Sequence, residues 1–277
     1  MSAQAAPAAQ APRADISLRD RLRSTARSEW IKFWSVRSGP AALLATALFL
    51  LVGGISFTVS YRHSWPTMSA ADRAGFDPVY YSLIGITLAQ LLVGALGVMT
   101  VTGEYTSGLI RGTFMATPQR GRVLAIKALI FAVVALASGT VLSFAVFFIG
   151  QGVLSSAKHA AIGDPGVLTA VFGGGLYLTL IGLFGLFIGV LLRRTASALI
   201  ALFVVVLVLP VAALLVLPST LSAEVSEYLP SQAGGQIWHL QHDGPHVLGP
   251  WPGFGVLCAY VVAAAIAAFV LIRRRDV

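Results

Sequence analysis

Three imidazoles and a carboxylate crowd into WHLQHDGPH, where His239, His242 and His246 stand with Asp243. Imidazole nitrogens at such spacing can ligate zinc or copper. Gly244 and Pro245 interrupt any helix that would align them, so a histidine-bearing surface loop is the plainer account. Elsewhere the reactive chemistry is sparse. None of Lys32, Lys127 or Lys158 follows a glycine, so the Gly-Lys-Ser/Thr turn that cradles a nucleotide's phosphates is missing. No HExxH, GxSxG or paired-carboxylate arrangement supports hydrolysis. The expectation is a chain with no catalytic residue, no metal site and no nucleotide site of its own.

The most pointed acidic residue is Glu104, which precedes Tyr105 near the start of GEYTSGLIRGTFMATPQRGRVLAIK, Gly103 to Lys127. This is a polar interlude between two long apolar runs. Within it Leu109, Ile110, Thr113 and Phe114 share one side of a short helix, and Arg111 points away from them. Thr117-Pro118 disfavours continuation, and Gly103 and Gly108 permit sharp changes of direction. Glu104 is expected to pair with Arg111 or a neighbouring basic side chain. The interlude reads either as a solvated loop or as a short helix along the membrane face that offers apolar side chains to a partner protein.

The elements that hold this interlude are apolar runs. The chain has 277 residues, of which 57% are hydrophobic and only 11% charged. A soluble domain carries about 25% charged residues. The chain therefore reads as an integral membrane protein. Runs long enough to cross a bilayer fall at about 40–59, 80–101, 123–150, 167–192, 196–217 and 255–272. Pro210 predicts a kink in the fifth, tolerable because a neighbouring helix can satisfy the carbonyl it frees. Gly185 and Gly189 form a GxxxG pair in the fourth, a pattern that allows close helix approach, within the chain or in a dimer. The span centres hold Gln90 with serines and threonines but no Asp, Glu, Arg or His, which argues against proton coupling. Cys258 has no second cysteine to pair with.

Residues 1–15 read as a disordered Ala/Pro/Gln tail, and 16–38 as an interfacial helix before the spans of 39–277. On a wheel, Leu18, Leu22, Ala26, Trp30 and Phe33 form its stripe, with Arg19 and Glu29 intruding. The net charge of +8 does not point to nucleic acid, because the basic residues gather at the ends of apolar runs. Seven lie in the N-terminal segment, four in the interlude (Arg111, Arg120, Arg122, Lys127), two at Arg193 and Arg194, and three in the tail. Only Arg62, Arg73 and Lys158 fall on the other side. That bias places both termini and the interlude in the cytoplasm. The long outer loop, 218–254, is expected to carry local structure, with a helical turn or two at Leu221 to Tyr228 ended by Pro230.

These residues resemble a family. The interlude is similar to the segment after the second span in permease subunits of type 2 ATP-binding cassette (ABC) transporters, of actinobacterial type. Glu104, Tyr105, Gly108, Arg111, Pro118, Arg120, Arg122 and Lys127 stand where that family has an acidic-aromatic pair, a glycine, an arginine, a proline, further arginines and a lysine. Leu109 replaces the threonine that often follows the glycine. SEWIKFWSVRS, Ser28 to Ser38, resembles the family's N-terminal elbow, with Glu29, Trp30, Lys32 and Arg37, and YLPSQAGG, Tyr228 to Gly235, resembles its outer-loop stretch. The resemblance implies an all-α integral membrane protein of six transmembrane helices, with an amphipathic elbow helix and a cytoplasmic coupling helix between spans two and three. It further implies a permease of the plasma membrane, a second permease subunit, identical or related, and a separate cytosolic ATPase that binds ATP and Mg and seats Leu109, Ile110 and Phe114. Export is the implied direction. The rival reading is a non-transporting scaffold or sensor whose basic face recruits a cytosolic partner.

Overall fold

The computed structural model describes residues 18–36, 38–108, 120–154, 158–241 and 246–274, and every regular element among them is helical. Among the described residues six helices are long and apolar enough to cross a membrane: Ser38–Thr67, Ile86–Thr106, Arg120–Val153, Val167–Leu192, Thr195–Val216 and Pro250–Arg274. The chain is a multi-pass helical membrane protein. The tail expected at 1–15 lies outside the described residues.

Helix α1 (Leu18–Ser35) precedes the spans. Only part of the wheel's stripe faces the bundle. Leu22 and Trp30 are exposed, whereas Phe33 and Glu29 are buried, Glu29 to 4% exposure. The intruding carboxylate is the residue on which the helix docks, because opposite charges await it below. The first span begins with α2 (Ser38–Ser64).

The second apolar run, expected to be one helix, is two. Asp77 caps α4 (Pro78–Leu83), after the short α3 (Ala70–Ala74), by accepting from the amides of Val79 and Tyr80 at 2.9 and 3.0 Å. The chain then hitches at Ile84 and Gly85 before α5 (Ile86–Thr106). A β-carbon on Gly85 would lie 2.4 Å from the carbonyl oxygen of Leu50, so α2 crosses there against bare backbone.

Helix α6 (Arg120–Val153) is the third span and α7 (Val167–Leu192) the fourth. In α7, 72% of the most apolar stretch is buried, against 22% in the first, fifth and sixth spans, so the bundle is arranged around it. Its glycines serve that packing. A β-carbon on Gly185 would lie 2.2 Å from the oxygen of Gly94, and one on Gly97 would lie 2.0 Å from that of Gly182. The Gly185–Gly189 pair is therefore spent on α5 within the chain, not on a second copy.

The fifth span is α8 (Thr195–Phe203), a π-helical turn at Val204–Val208, and α9 (Leu209–Val216). The disturbance has the expected cause. The Leu209 amide reaches back five residues to Val204, and Pro210 has no N–H to give. The carbonyl of Val206, four residues before the proline, accepts instead from the Ser231 hydroxyl at 2.8 Å. Ser231 belongs to the outer loop, which forms α10 (Ser219–Glu227) and α11 (Pro230–Gly235) before α12 (Pro250–Arg274). Pro230 does more than stop the first of these, since it opens the second. Helix α11 is buried, and a β-carbon on Gly234 would lie 2.5 Å from the Leu257 side chain of α12.

Candidate functional site

Four charged side chains from three helices meet where α1 crosses the ends of α5 and α6. Glu29 and Lys32 come from α1, one helical turn apart, Glu104 from the last turn of α5, and Lys127 from the second turn of α6. Lys127 bonds both Glu29 and Glu104, the latter at 2.9 Å. Lys32 bonds Glu29 at 2.7 Å and Glu104 at 3.2 Å. Both lysines reach the same oxygen of Glu104, its Oε1. Two carboxylates and two ammoniums alternate, so the cluster is neutral as a whole.

Each charge explains another. Lys127 is buried in an apolar run and Glu29 is buried on an otherwise solvated helix, and neither is stable there unpaired. Burial pushes the Glu29 carboxyl up, but the Lys127 ammonium, with Lys32 beside it, more than offsets this and holds it below the ordinary carboxylate value. Burial pulls Lys32 down, yet its hydrogen bond to Glu29 and the charge of Glu104 raise it above the ordinary lysine value. The stability Glu29 contributes is present above the unfolded carboxylate range and lost as pH falls through its lowered value. That of Lys32 is present below the unfolded lysine value and lost as pH rises through its raised one. Glu29 and Lys32 are thus both charged across neutral pH.

Neighbouring basic groups gather at the same end. Arg193, which ends α7 with φ of 56°, sets its guanidinium 5.4 Å from the ring centre of Tyr105. Thr195, opening the fifth span, donates to Thr102 Oγ1 of α5 at 2.9 Å. Gly121 at the start of α6 lies against Arg273 of α12. At the opposite end, Lys158 donates to the carbonyls of Phe76 and Ala74, and Arg73 to that of Pro66 while it lies over the Trp65 ring. Among the described residues, Lys32, Lys127, Arg193 and Arg273 of the first group and Arg73 and Lys158 of the second thus sit at opposite ends of the bundle.

Of the residues singled out from sequence, Glu29, Lys32 and Glu104 converge in the clasp, with Lys127. Tyr105 packs on Arg193, Gly108 follows α5 with φ of 72°, and Arg120 opens α6. Trp30 stands exposed, edge-on to Trp34. Glu104 is paired with Lys32 and Lys127, where Arg111 was one expected partner. Leu109, Ile110, Arg111, Phe114, Pro118 and Arg37 lie outside the described residues, as do His242 and Asp243. The outer histidines are separate groups: His239 lies edge-on to Tyr80 and Trp238, whereas His246 approaches Glu227 at 3.7 Å. Among the described residues no three His, Cys, Asp or Glu side chains group as metal ligands.

A second polar chain runs through the bundle. The Tyr177 hydroxyl of α7 bonds Gln90 of α5 and lies 3.4 Å from the Ser231 carbonyl, while Gln90 donates to the Thr87 carbonyl at 2.9 Å. Sequence reasoning named Gln90 but not its partners. Tyr177 reads from sequence as one more apolar-run aromatic, and only its hydroxyl hinted at the link.

No family model matches the chain, and no curated protein matches it.

Proposed function

We propose that the chain is the membrane-spanning permease subunit of an ATP-binding cassette exporter, driven by a separate cytosolic ATPase that docks on the segment between α5 and α6. One observation carries the reading. The two helices that flank residues 109–119 are tied to each other through Glu104 and Lys127, and both are tied to α1 through Glu29 and Lys32. A push on the interlude reaches α1 and two spans as one body, which is what an external motor needs in order to rock a bundle. In this reading α1 is the elbow helix and 109–119 holds the coupling helix. Leu109, Ile110 and Phe114 seat in a groove on the ATPase, ATP and Mg stay in that partner, and a second permease subunit completes the pathway. The clasp end of the bundle faces the cytoplasm of a plasma membrane. The span centres, which hold no Asp, Glu, Arg or His, favour an energy source outside the chain.

The test is reconstitution with the candidate ATPase. Leu109→Asp and Phe114→Asp are expected to abolish co-purification of the ATPase while the spans stay folded. Glu104→Gln is expected to leave docking intact and lower substrate-stimulated ATP hydrolysis. Unaltered complex formation by both aspartate variants overturns the docking assignment. A complex that never moves substrate on ATP addition favours the scaffold reading instead.

A further inference from the structure

Beside the clasp lies a cavity of about 260 Å³ between α1, α5 and α6. Its walls are Phe33, Val36, Leu96, Met99, Ile130 and Phe131. Along α5 the charged and apolar walls are segregated, with Leu96 and Met99 lying one to two turns deeper than Glu104. On α6, Ile130 and Phe131 likewise lie one turn deeper than Lys127. The cavity thus has a charged head and an apolar body. Such a body has few polar partners for water, and apolar cavities accept apolar ligands readily. Exposed Val36 and Met99 open it to the bilayer.

The head is selective. Both lysines use Oε1 of Glu104, and among the described residues no hydrogen bond reaches Oε2. A carboxylate oxygen with open acceptor capacity at the rim of an apolar cavity takes an N–H donor, above all a charged one. The clasp is neutral, so a net charge on the incoming head would go unbalanced, whereas a zwitterion would not. Lys32, whose side chain is 31% exposed, supplies positive charge for the anionic half of such a head.

We propose that this cavity binds one phospholipid of the adjoining leaflet, with a zwitterionic, primary-ammonium headgroup on Glu104 and Lys32 and an acyl chain between Leu96, Met99 and Phe131. Phosphatidylethanolamine has this chemistry. Phosphatidylcholine carries the same charges but no N–H donor, and phosphatidylglycerol carries no ammonium. The bound lipid would report on the clasp, because its head shares Glu104 with both lysines. The site requires only a membrane-embedded chain, so it stands or falls independently of transport.

The full chain is reconstituted in nanodiscs of equal phosphatidylethanolamine, phosphatidylcholine and phosphatidylglycerol, released into detergent, and retained lipid is counted by native mass spectrometry. One phosphatidylethanolamine per chain is expected, at least tenfold over the other two. Thr100→Phe and Ile130→Trp, which fill the cavity, are expected to lose it, whereas Leu48→Phe, on the exposed side of α2, keeps it. Unfolding midpoints measured alongside separate a filled cavity from a collapsed one. Glu104→Gln is expected to reduce the preference over phosphatidylcholine to parity while a lipid is still retained. Equal retention of all three lipids by the parent protein, no retained lipid, or full retention by both cavity-filling variants overturns the proposal. Displacement of the phospholipid by a tenfold lower concentration of free dodecylamine overturns the choice of a lipid over a free amphipathic amine.

Discussion

Lys127 and Glu29 are each unfavourable alone and tolerable together, and this sets what their replacement should do. Removing one partner of a buried pair leaves an uncompensated charge and costs about 3–5 kcal/mol, whereas replacing both with apolar groups of similar size is often neutral. Lys127→Met should therefore lower the unfolding midpoint of the detergent-solubilised protein sharply, and Glu29→Leu in the same chain should restore most of the loss. Additive losses would mean that the pair is not coupled. The pKa directions add a condition to the same measurement. The midpoint should stay flat between about pH 5 and 9 and fall on the acid side only below the ordinary carboxylate value, because Glu29 is held lower still. Half of this site was legible in sequence. Glu104, Lys32, Glu29 and Lys127 all stood out as charges at or inside apolar borders, but their pairing joins residues far apart in the chain. No local periodicity encodes the contacts between α1, α5 and α6, and the wheel of α1 gave Glu29 only as an intrusion on its stripe, although its carboxylate is buried against Lys127.

At the scale of elements, the fifth span shows how an irregular helix is tolerated in a membrane. Pro210 has no N–H to give the Val206 carbonyl four residues back, and Ser231 in α11 donates to it instead. Leaving a buried carbonyl unsatisfied costs about 1–3 kcal/mol. Ser231→Ala should cost that much as read by thermal unfolding, and the cost should shrink in a Pro210→Ala background, where a backbone N–H is available again. Equal costs in both backgrounds would show that the serine does not serve this carbonyl. The kink itself was legible, since proline in an apolar run admits few alternatives. That an outer-loop segment provides the donor was not, because Pro230 reads locally as a helix stop, while its fixed φ equally suits the first turn of α11. The hitch at Gly85 was hidden for a similar reason: a glycine inside an apolar run looks the same whether or not another backbone crosses it.

For the molecule as a whole, the distribution of charge decides orientation. The six spans were legible as elements, though not to their ends, because length and apolarity alone define them. The structure adds that Lys32, Lys127, Arg193 and Arg273 belong to one end of the bundle and Arg73 and Lys158 to the other. Positive side chains are retained on the cytoplasmic side of a membrane, so the clasp end should face inward. With Cys258→Ser as background, Arg122→Cys and Asp164→Cys place single thiols at exposed positions of opposite ends. An impermeant maleimide added to intact cells should label the Asp164 position and leave the Arg122 position untouched until the membrane is broken. Reversed labelling would put the interlude outside, where no cytosolic ATPase can reach it. The transport proposal would then fail even if every helix of the bundle were in place, whereas the lipid site would merely move to the other leaflet.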